Sequence, residues 1–399
     1  MPITRDKNFY DLLGTGLREY GYTNLSAYLN DMFADKYNAD QIYEQMGFPL
    51  NPSLPIRPTY EQIEVNVRPY TMATHVDIDS DGPTKSTDGL SLQMGQLPIW
   101  KHEITIGRKE LREQLYLAES IGNTTAEIID VAMEQMFLST DQLLGGNYNT
   151  MRFARHQIVS NEGKLVINAK NSHLGIPLEL DFGVPAKNKK TEAWYTKAAN
   201  TGKITAKADV DPIKTLKDIK RNAEQKDNAP QGHWEVSKTT WDDLLQLDVF
   251  RNAYAVALNP YLVGKTDAEI RGYASNLPDN KIREYVETVI GAPIVVVDHM
   301  GYIEKFNTTT KQLEFVDCPS FVEGVMVYVP DGAIDDTQFG RPFAMETPGA
   351  RISHYDGGRT LIRQVFNDET MTQTIKSEFT GLPVPNKTRW MYYLTVKGS

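Results

Sequence analysis

The segment from Glu61 to Ile106 limits the possible folds more than any other stretch. Ile63, Val65 and Val67 alternate on the way in, Ile104 and Ile106 on the way out, and between them lies the turn-rich Asp77-Ile-Asp-Ser-Asp-Gly-Pro83. Period-two alternation on both sides of such a turn describes a long two-stranded excursion. Its middle holds few large apolar residues, and an isolated pair of strands is only marginally stable in water. The hairpin must therefore pack on something outside itself, and a second chain would serve.

A chain of 399 residues exceeds the roughly 250–300 at which a single core stops growing, so two or more cores are expected. Hydrophobic residues make up 40% and charged residues 24%, enough apolar surface to offset ordering entropy with charge left for solubility. The net charge of -10 runs against a protein that wraps nucleic acid, because neutralising phosphates takes clustered Lys and Arg. Cys318 is the single cysteine, so neither an intrachain disulfide nor a Cys-based zinc site is expected, in keeping with folding in a reducing cytosol. The opening MPITRDKNFYDLLGTG lacks an apolar core, and no apolar run approaches the about 18 residues of a membrane span; neither export nor membrane insertion is expected.

Residues 1–60 read as a polar, aromatic-rich lead with a helical stretch near Asn24 to Met46. It closes on Phe48-Pro-Leu-Asn-Pro-Ser-Leu-Pro-Ile-Arg-Pro58, whose prolines remove donors and fix φ, which predicts an extended arm. After the hairpin the period becomes helical: Leu111, Leu115, Ala118 and Ile121, then a capping-box spacing at Thr124-Thr-Ala-Glu127, then Ile129, Ala132 and Met136. The stripe resumes after Gly145-Gly146-Asn147 through Met151, Ala154, Ile158 and Val159, and Gly163 leads into the strand-like Lys164-Leu-Val-Ile-Asn168. Asp211-Pro212 opens another helix with Ile213, Leu216 and Ile219 on one side. An α/β middle follows: a strand around Trp234 to Val236, helices near Thr240 to Phe250 and Lys281 to Ile290, and a buried-type strand from Pro293 to Asp298. The tail from Phe321 is β-rich, with strands at Val325 to Val329, Leu361 to Phe366 and Trp390 to Val396. The final strand is expected to return to the layer begun near Ile104, which would make the middle region an insertion.

Motifs for chemistry are few. Asp77, Asp79, Asp81 and Gly82 match the opening of a calcium loop, where alternate oxygen ligands and a sharp bend suit a hard cation. The twelfth position is Asp88 rather than a bidentate Glu, Lys85 occupies a ligand position, and the flanks are strand-like, so a hairpin tip is the preferred reading. His102-Glu103 lacks a second His four residues on, and the seven histidines show no ligand spacing. Gly14-Thr-Gly16 is followed by Gly21, one residue too late for a dinucleotide fingerprint, and no strand precedes it. No nucleophile elbow or phosphate-binding loop occurs, and Lys187-Asn-Lys-Lys190 reads as a solvated loop. No catalytic residue, cofactor or metal is expected.

The order of the segments carries more information than any motif. Met151-Arg-Phe-Ala-Arg-His-Gln-Ile-Val-Ser-Asn-Glu-Gly-Lys-Leu-Val-Ile167 resembles a helix, Gly-Lys turn and strand found in the lambda-type capsid protein E family of tailed-phage major capsid proteins. Leu180-Asp-Phe-Gly-Val-Pro185 resembles that family's next segment, and Asp211-Pro-Ile213 the start of its inserted domain. Val329-Pro-Asp-Gly332, Phe339-Gly340 and Lys376-Ser-Glu-Phe-Thr-Gly-Leu-Pro-Val384 resemble its closing segments, so the likeness runs in order over roughly residues 60 to 397.

The resemblance implies an α+β tailed-phage capsid fold, the Johnson fold. It divides the chain into an N-terminal arm (1–60), an E-loop hairpin and its base (61–106), a peripheral domain with a spine helix (107–210), an axial domain (211–312) and a β-rich return to the peripheral domain (313–399). In such a fold Gly145-Gly146-Asn147 interrupts the spine helix, which predicts a break or kink there. The E-loop residues Val76, Asp77, Asp79, Asp81, Lys85, Leu90, Leu92 and Met94 are the implied contacts with a neighbouring subunit. The implied partners are further copies of the chain in hexamers and pentamers, portal and scaffold or decoration proteins, and enclosed double-stranded DNA bound without sequence specificity. The implied place is the virion capsid, assembled in the host cytoplasm. A cellular nanocompartment shell of the same fold and a calcium-dependent binding module are the alternatives.

Overall fold

The computed structural model describes residues 17–66 except 19, 35 and 57, residues 89–107, 113, 125–172 and 176–207, residues 210–342 except 308 and 333, and residues 352–367 and 372–398. Two compact units emerge, neither continuous in sequence: one holds residues up to 61, 94–152 and 336–384, the other 62–93, 153–335 and 385–399.

In the first unit the helical lead resolves into two short helices, α1 (Leu25–Phe33) and α2 (Ala39–Gln45), because each has its own cap. The Asn24 side chain accepts from the Ala27 amide, and Asn38 does the same for Gln41. An aromatic core forms around Tyr43, whose ring lies 5.5 Å from Phe48, 5.6 Å from Tyr148 and 5.8 Å from Phe339. The proline-rich segment holds no helix and, apart from a single bridge from Leu50 to Thr337, no strand among its described residues, and it is bound to its own chain: Pro49 and Phe48 carbonyls accept from the Thr337 amide and hydroxyl, and the Pro55 carbonyl from the Arg341 amide. Prolines lack donors but keep acceptors, so such a segment can still dock along a strand.

Strand β1 (Thr59–Asn66) pairs with β2 (Gly89–Gln96) as an isolated two-stranded sheet, so the excursion that sequence predicts is paired at its base, but its return strand is β2 and not the alternating run at Ile104 and Ile106. Strand β3 (Ile99–Ile106) pairs antiparallel with β16 (Thr372–Pro385), Ile104 opposite Ile375. β16 continues the sheet through β15 (Thr360–Asn367) to β14 (Ile352–Tyr355), with β13 (Ile334–Gly340) on its other side.

The spine helix α3 runs unbroken from Thr125 to Ser160, 36 residues and about 54 Å. The break expected at Gly145-Gly146-Asn147 does not occur, and the reason lies in packing within the first unit. A Cβ on Gly146 would lie 2.6 Å from His102 Cε1, and one on Gly145 would lie 3.2 Å from the Tyr37 hydroxyl. Gly146 is therefore a close-approach residue that lets β3 lie against the helix. Asn147 locks the contact: its Oδ1 lies 2.8 Å from His102 Nε2 and its Nδ2 donates to Ser377 Oγ at 2.9 Å. The stripe at Leu111 to Ile121 and the capping box at Thr124 lie outside the described residues.

The second unit is built on a six-stranded sheet in the order β7-β6-β17-β12-β8-β9. Its strands are β6 (Lys189–Lys197), β7 (Ile204–Ala206), β8 (Gly232–Ser237), β9 (Ile294–Val297), β12 (Val325–Pro330) and β17 (Tyr392–Gly398). Helices α4 (Pro212–Arg221), α5 (Lys238–Leu245), α6 (Asp248–Leu258), α7 (Asp267–Ala274) and α8 (Asp279–Ile290) supply the rest of the α/β region. Asp211 caps α4 by accepting from Lys214, with Pro212 in the first turn, as its sequence predicts. The core joins Trp194, Trp234, Tyr328 and Leu394 on the sheet to Leu216, Trp241, Leu244, Phe250, Ile282 and Val286 on the helices.

The final strand departs from its expected place. β16, not β17, returns to the layer of β3, while β17 lies between β6 and β12 in the six-stranded sheet. Tyr392, Tyr393, Leu394 and Val396 are all buried, the near-continuous apolar run of a strand covered on both faces.

Two small antiparallel sheets complete the second unit: β4 (Lys164–Ile167) with β5 (Leu178–Asp181), and β10 (Met300–Asn307) with β11 (Gln312–Pro319).

Candidate assembly surfaces

Of the eight E-loop residues singled out by sequence, Val76, Asp77, Asp79, Asp81 and Lys85 lie outside the described residues. Leu90 lies on β2. Leu92 and Met94 lie further along the same strand and are 61% and 57% exposed. Ile63 on β1 is 51% exposed as well, so the stem carries apolar side chains that its own chain leaves in water. Within the second unit two side-chain amides hold the stem: Gln62 Nε2 donates to the Phe182 carbonyl at 3.3 Å and Gln93 Nε2 to the Asp181 carbonyl at 3.1 Å.

A second apolar surface escaped the sequence reading. The β10–β11 sheet exposes Tyr302, Phe306, Leu313 and Phe315. The signal that could have found it is the pair of short aromatic-containing runs on either side of Asn307-Thr-Thr-Thr310. A third surface lies past α6, where Leu258, Tyr261 and Val263 are exposed around the short turn Pro260–Leu262. The neighbouring pair α6 and α7 shares its own small core of Ala255, Ile270 and Ala274.

Within the second unit, which includes the last turns of α3, a buried ion pair ties the helix to the six-stranded sheet. Arg155 is 9% exposed and Glu235, on β8, 1%. Two guanidinium nitrogens each donate to a different carboxylate oxygen at 2.5 Å, a bidentate arrangement. His233 Nε2 lies 3.0 Å from Glu235 Oε1 and its Nδ1 3.8 Å from Asp331. Burial alone would push the Glu235 carboxyl up, but the charge of Arg155 and the hydrogen bonds of His233 and Arg155 outweigh it and hold the carboxyl well below the usual range. Around the same turns His156 Nδ1 lies 3.0 Å from Ser320 Oγ, Gln157 Nε2 donates to the Ser320 carbonyl, and Ser160 Oγ accepts from the Val322 amide. These bonds fix the root of β11 to the helix.

Among the described residues no group of three His, Cys, Asp or Glu is placed to hold a metal ion, and no helix is long and apolar enough to cross a membrane. The Asp77, Asp79 and Asp81 loop falls outside those residues.

Residues 22–291, well over half of the chain, match the model of a family described as phage major capsid protein E. The chain belongs to the phage major capsid protein E family. It is thus a structural subunit of a phage capsid shell and a component of the virion, and neither a calcium-dependent module nor a nanocompartment is favoured. The α+β tailed-phage capsid fold expected from sequence accords with that membership and with the mixed helices and sheets described above.

Among solved structures, a prophage capsid protein of E. coli CFT073 is similar at a TM-score of 0.47 and 12% identity, covering 92% of this chain and 98% of that one. The capsid subunit of Cyanophage A-1(L) gives 0.42 and 11%, covering 86% and 89%. The mature capsid of bacteriophage PhiM1 gives 0.41 and 10%, covering 86% and 84%. No curated protein matches.

Proposed function

We propose that copies of this phage capsid E family member close into hexameric and pentameric rings of an icosahedral shell around double-stranded DNA. Assembly takes place in the host cytoplasm, with portal and scaffold or decoration proteins as the other partners. The subunit has no catalytic site, cofactor or metal of its own. The family match over residues 22–291 carries this reading.

The arm, E-loop, peripheral and axial division at residues 60, 106, 210 and 312 belongs to the same proposal. So does the E-loop contact through Val76, Asp77, Asp79, Asp81, Lys85, Leu90, Leu92 and Met94. The exposed Leu92 and Met94 support it, since apolar side chains on a narrow two-stranded stem gain most by being covered by a neighbour. Obligate contacts of this kind bury on the order of 2,000–5,000 Å². A heterologous contact that closes by rotation yields rings. The net charge of -10 fits a shell that encloses DNA without gripping it.

Electron microscopy of the expressed chain, alone or with its scaffold, tests the reading. Ring-shaped capsomers or closed shells are expected. A chain that stays monomeric at every concentration and with every virion partner would overturn it.

A further inference from the structure

The β10–β11 sheet has one face fixed to its unit and one face bare. Its register sets Met300 opposite Pro319, Tyr302 opposite Asp317, Glu304 opposite Phe315 and Phe306 opposite Leu313. Directly paired residues point to the same side, so these eight share a face. Tyr302 is 58% exposed, Phe306 and Leu313 59%, and Phe315 74%. The intervening residues make the other face and hold it down. Cys318 is buried with its Sγ 3.5 Å from the Lys170 carbonyl, and Lys305 donates to the Ala169 carbonyl. A Cβ at Gly301 would lie 3.2 Å from Phe153 on α3, so the hairpin lies in close contact with the helix there. The aromatic face is therefore held outward by the packing beneath it.

The size of that face points to its occupant. With aromatic side chains at about 150–250 Å² each, the exposed fractions of Met300, Tyr302, Phe306, Leu313 and Phe315 sum to roughly 500 Å² of apolar surface. That lies near the upper end of the about 300–600 Å² that the largest patch of a monomer reaches, and is well over half of the about 800 Å² per partner of a standard interface. We propose that the aromatic face of β10–β11 is a contact surface for a second copy of this chain, and that the contact is heterologous. This rests on the shell-subunit reading above. Glu304 and Asp317 lie on the same face, so stacking the face on its own image would bring four carboxylates together. Like charges brought face to face destabilise a contact, so a different patch of the neighbour covers it.

Hydroxyl-radical footprinting of the full-length chain before and after assembly tests this directly. Oxidation of Tyr302, Phe306, Leu313 and Phe315 is expected to fall at least fivefold on assembly, with Phe153 unchanged. Shells that form without that protection overturn the inference and leave the shell reading intact; a chain that never assembles overturns both. Protection already present before assembly, or appearing only when another virion protein is added, overturns the choice of a second copy. The double variant Phe306→Ser with Phe315→Ser is expected to raise the concentration needed for assembly tenfold or more at an unchanged melting temperature. Assembly at the wild-type concentration refutes the proposal, and the wild-type footprint decides the matter if the variant fails to fold. Glu304→Gln with Asp317→Asn is expected to leave assembly no stronger than in the wild type; strengthened assembly would mean that the face meets its own image and would overturn the heterologous contact.

Discussion

Replacing Arg155 by Met removes one member of the buried pair and leaves Glu235, 1% exposed, with the His233 ring nitrogen 3.0 Å away as its remaining side-chain partner. Breaking such a pair from one side costs about 3–5 kcal/mol, whereas replacing both partners by apolar residues is often neutral or better. Urea titration of the unassembled full-length chain, followed by tryptophan fluorescence, reads the difference, since buried Trp234 adjoins Glu235 on β8. With a slope of about 3 kcal/mol per molar, Arg155→Met should lower the midpoint by about 1 M or more, and adding Glu235→Leu should restore most of it. The pH dependence sharpens the test. In the wild type the Glu235 carboxyl titrates below its usual range, so its contribution is complete above about pH 4.3 and is lost as pH falls from there toward the depressed folded value. In the variant burial prevails and raises the folded value, so the unfolded chain is the better acid and the defect shrinks as pH drops from 7 toward 5. A single variant no worse than the double, or a defect flat across that range, would refute the account.

Three further outcomes are expected. Gly146→Ala adds about 1 kcal/mol of helix propensity but sets a Cβ 2.6 Å from a His102 ring held by Asn147; overpacking of about 1–3 kcal/mol should win, and a raised melting temperature would contradict this. Leu92→Asp with Met94→Asp should abolish shell formation seen by microscopy while leaving the circular dichroism and melting temperature of the unassembled chain unchanged, both side chains being exposed. Burial pushes the Cys318 thiol up, with Asp317 adding to it and Lys305 opposing, so thiolate is scarce at neutral pH. Labelling by a disulfide reagent should run at least tenfold slower than for free cysteine at pH 7, and fast labelling would mean that β10–β11 does not pack closely on its unit.

Local signals were legible in the sequence and long-range ones were not. The α4 cap at Asp211-Pro212 could be read because donor and acceptor lie three residues apart. The glycines at 145 and 146 misled because punctuation and close approach use the same residue, and only the position of His102, 44 residues upstream of Gly146, tells them apart. The Arg155 and Glu235 pair spans 80 residues and leaves no pattern in sequence. β10–β11 was missed because its aromatic residues face water: apolar side chains set aside for a partner look in sequence like those of a core, and here they did not alternate cleanly with the inward Gly301, Ile303 and Lys305. Only the inbound strand of the E-loop stem was readable from alternation: Ile104 and Ile106 also alternate, yet they lie on β3 and pair with β16, while the return strand β2 carries Leu90, Leu92 and Met94 of the implied contact.

The place of β17 between β6 and β12 sets a timetable for making the protein. β6 ends at Lys197 and β17 at Gly398, so 398 − 197 = 201 residues separate their completion. At about 5–20 residues per second a ribosome takes roughly 10–40 s to cover that distance. Throughout that interval the edge of β6 that β17 will join stands open, and from the completion of β12 at Pro330 so does that of β12. Prematurely terminated chains would keep that gap for good. A growing shell would thus draw only on chains synthesised past Gly398, a quality filter written into strand order.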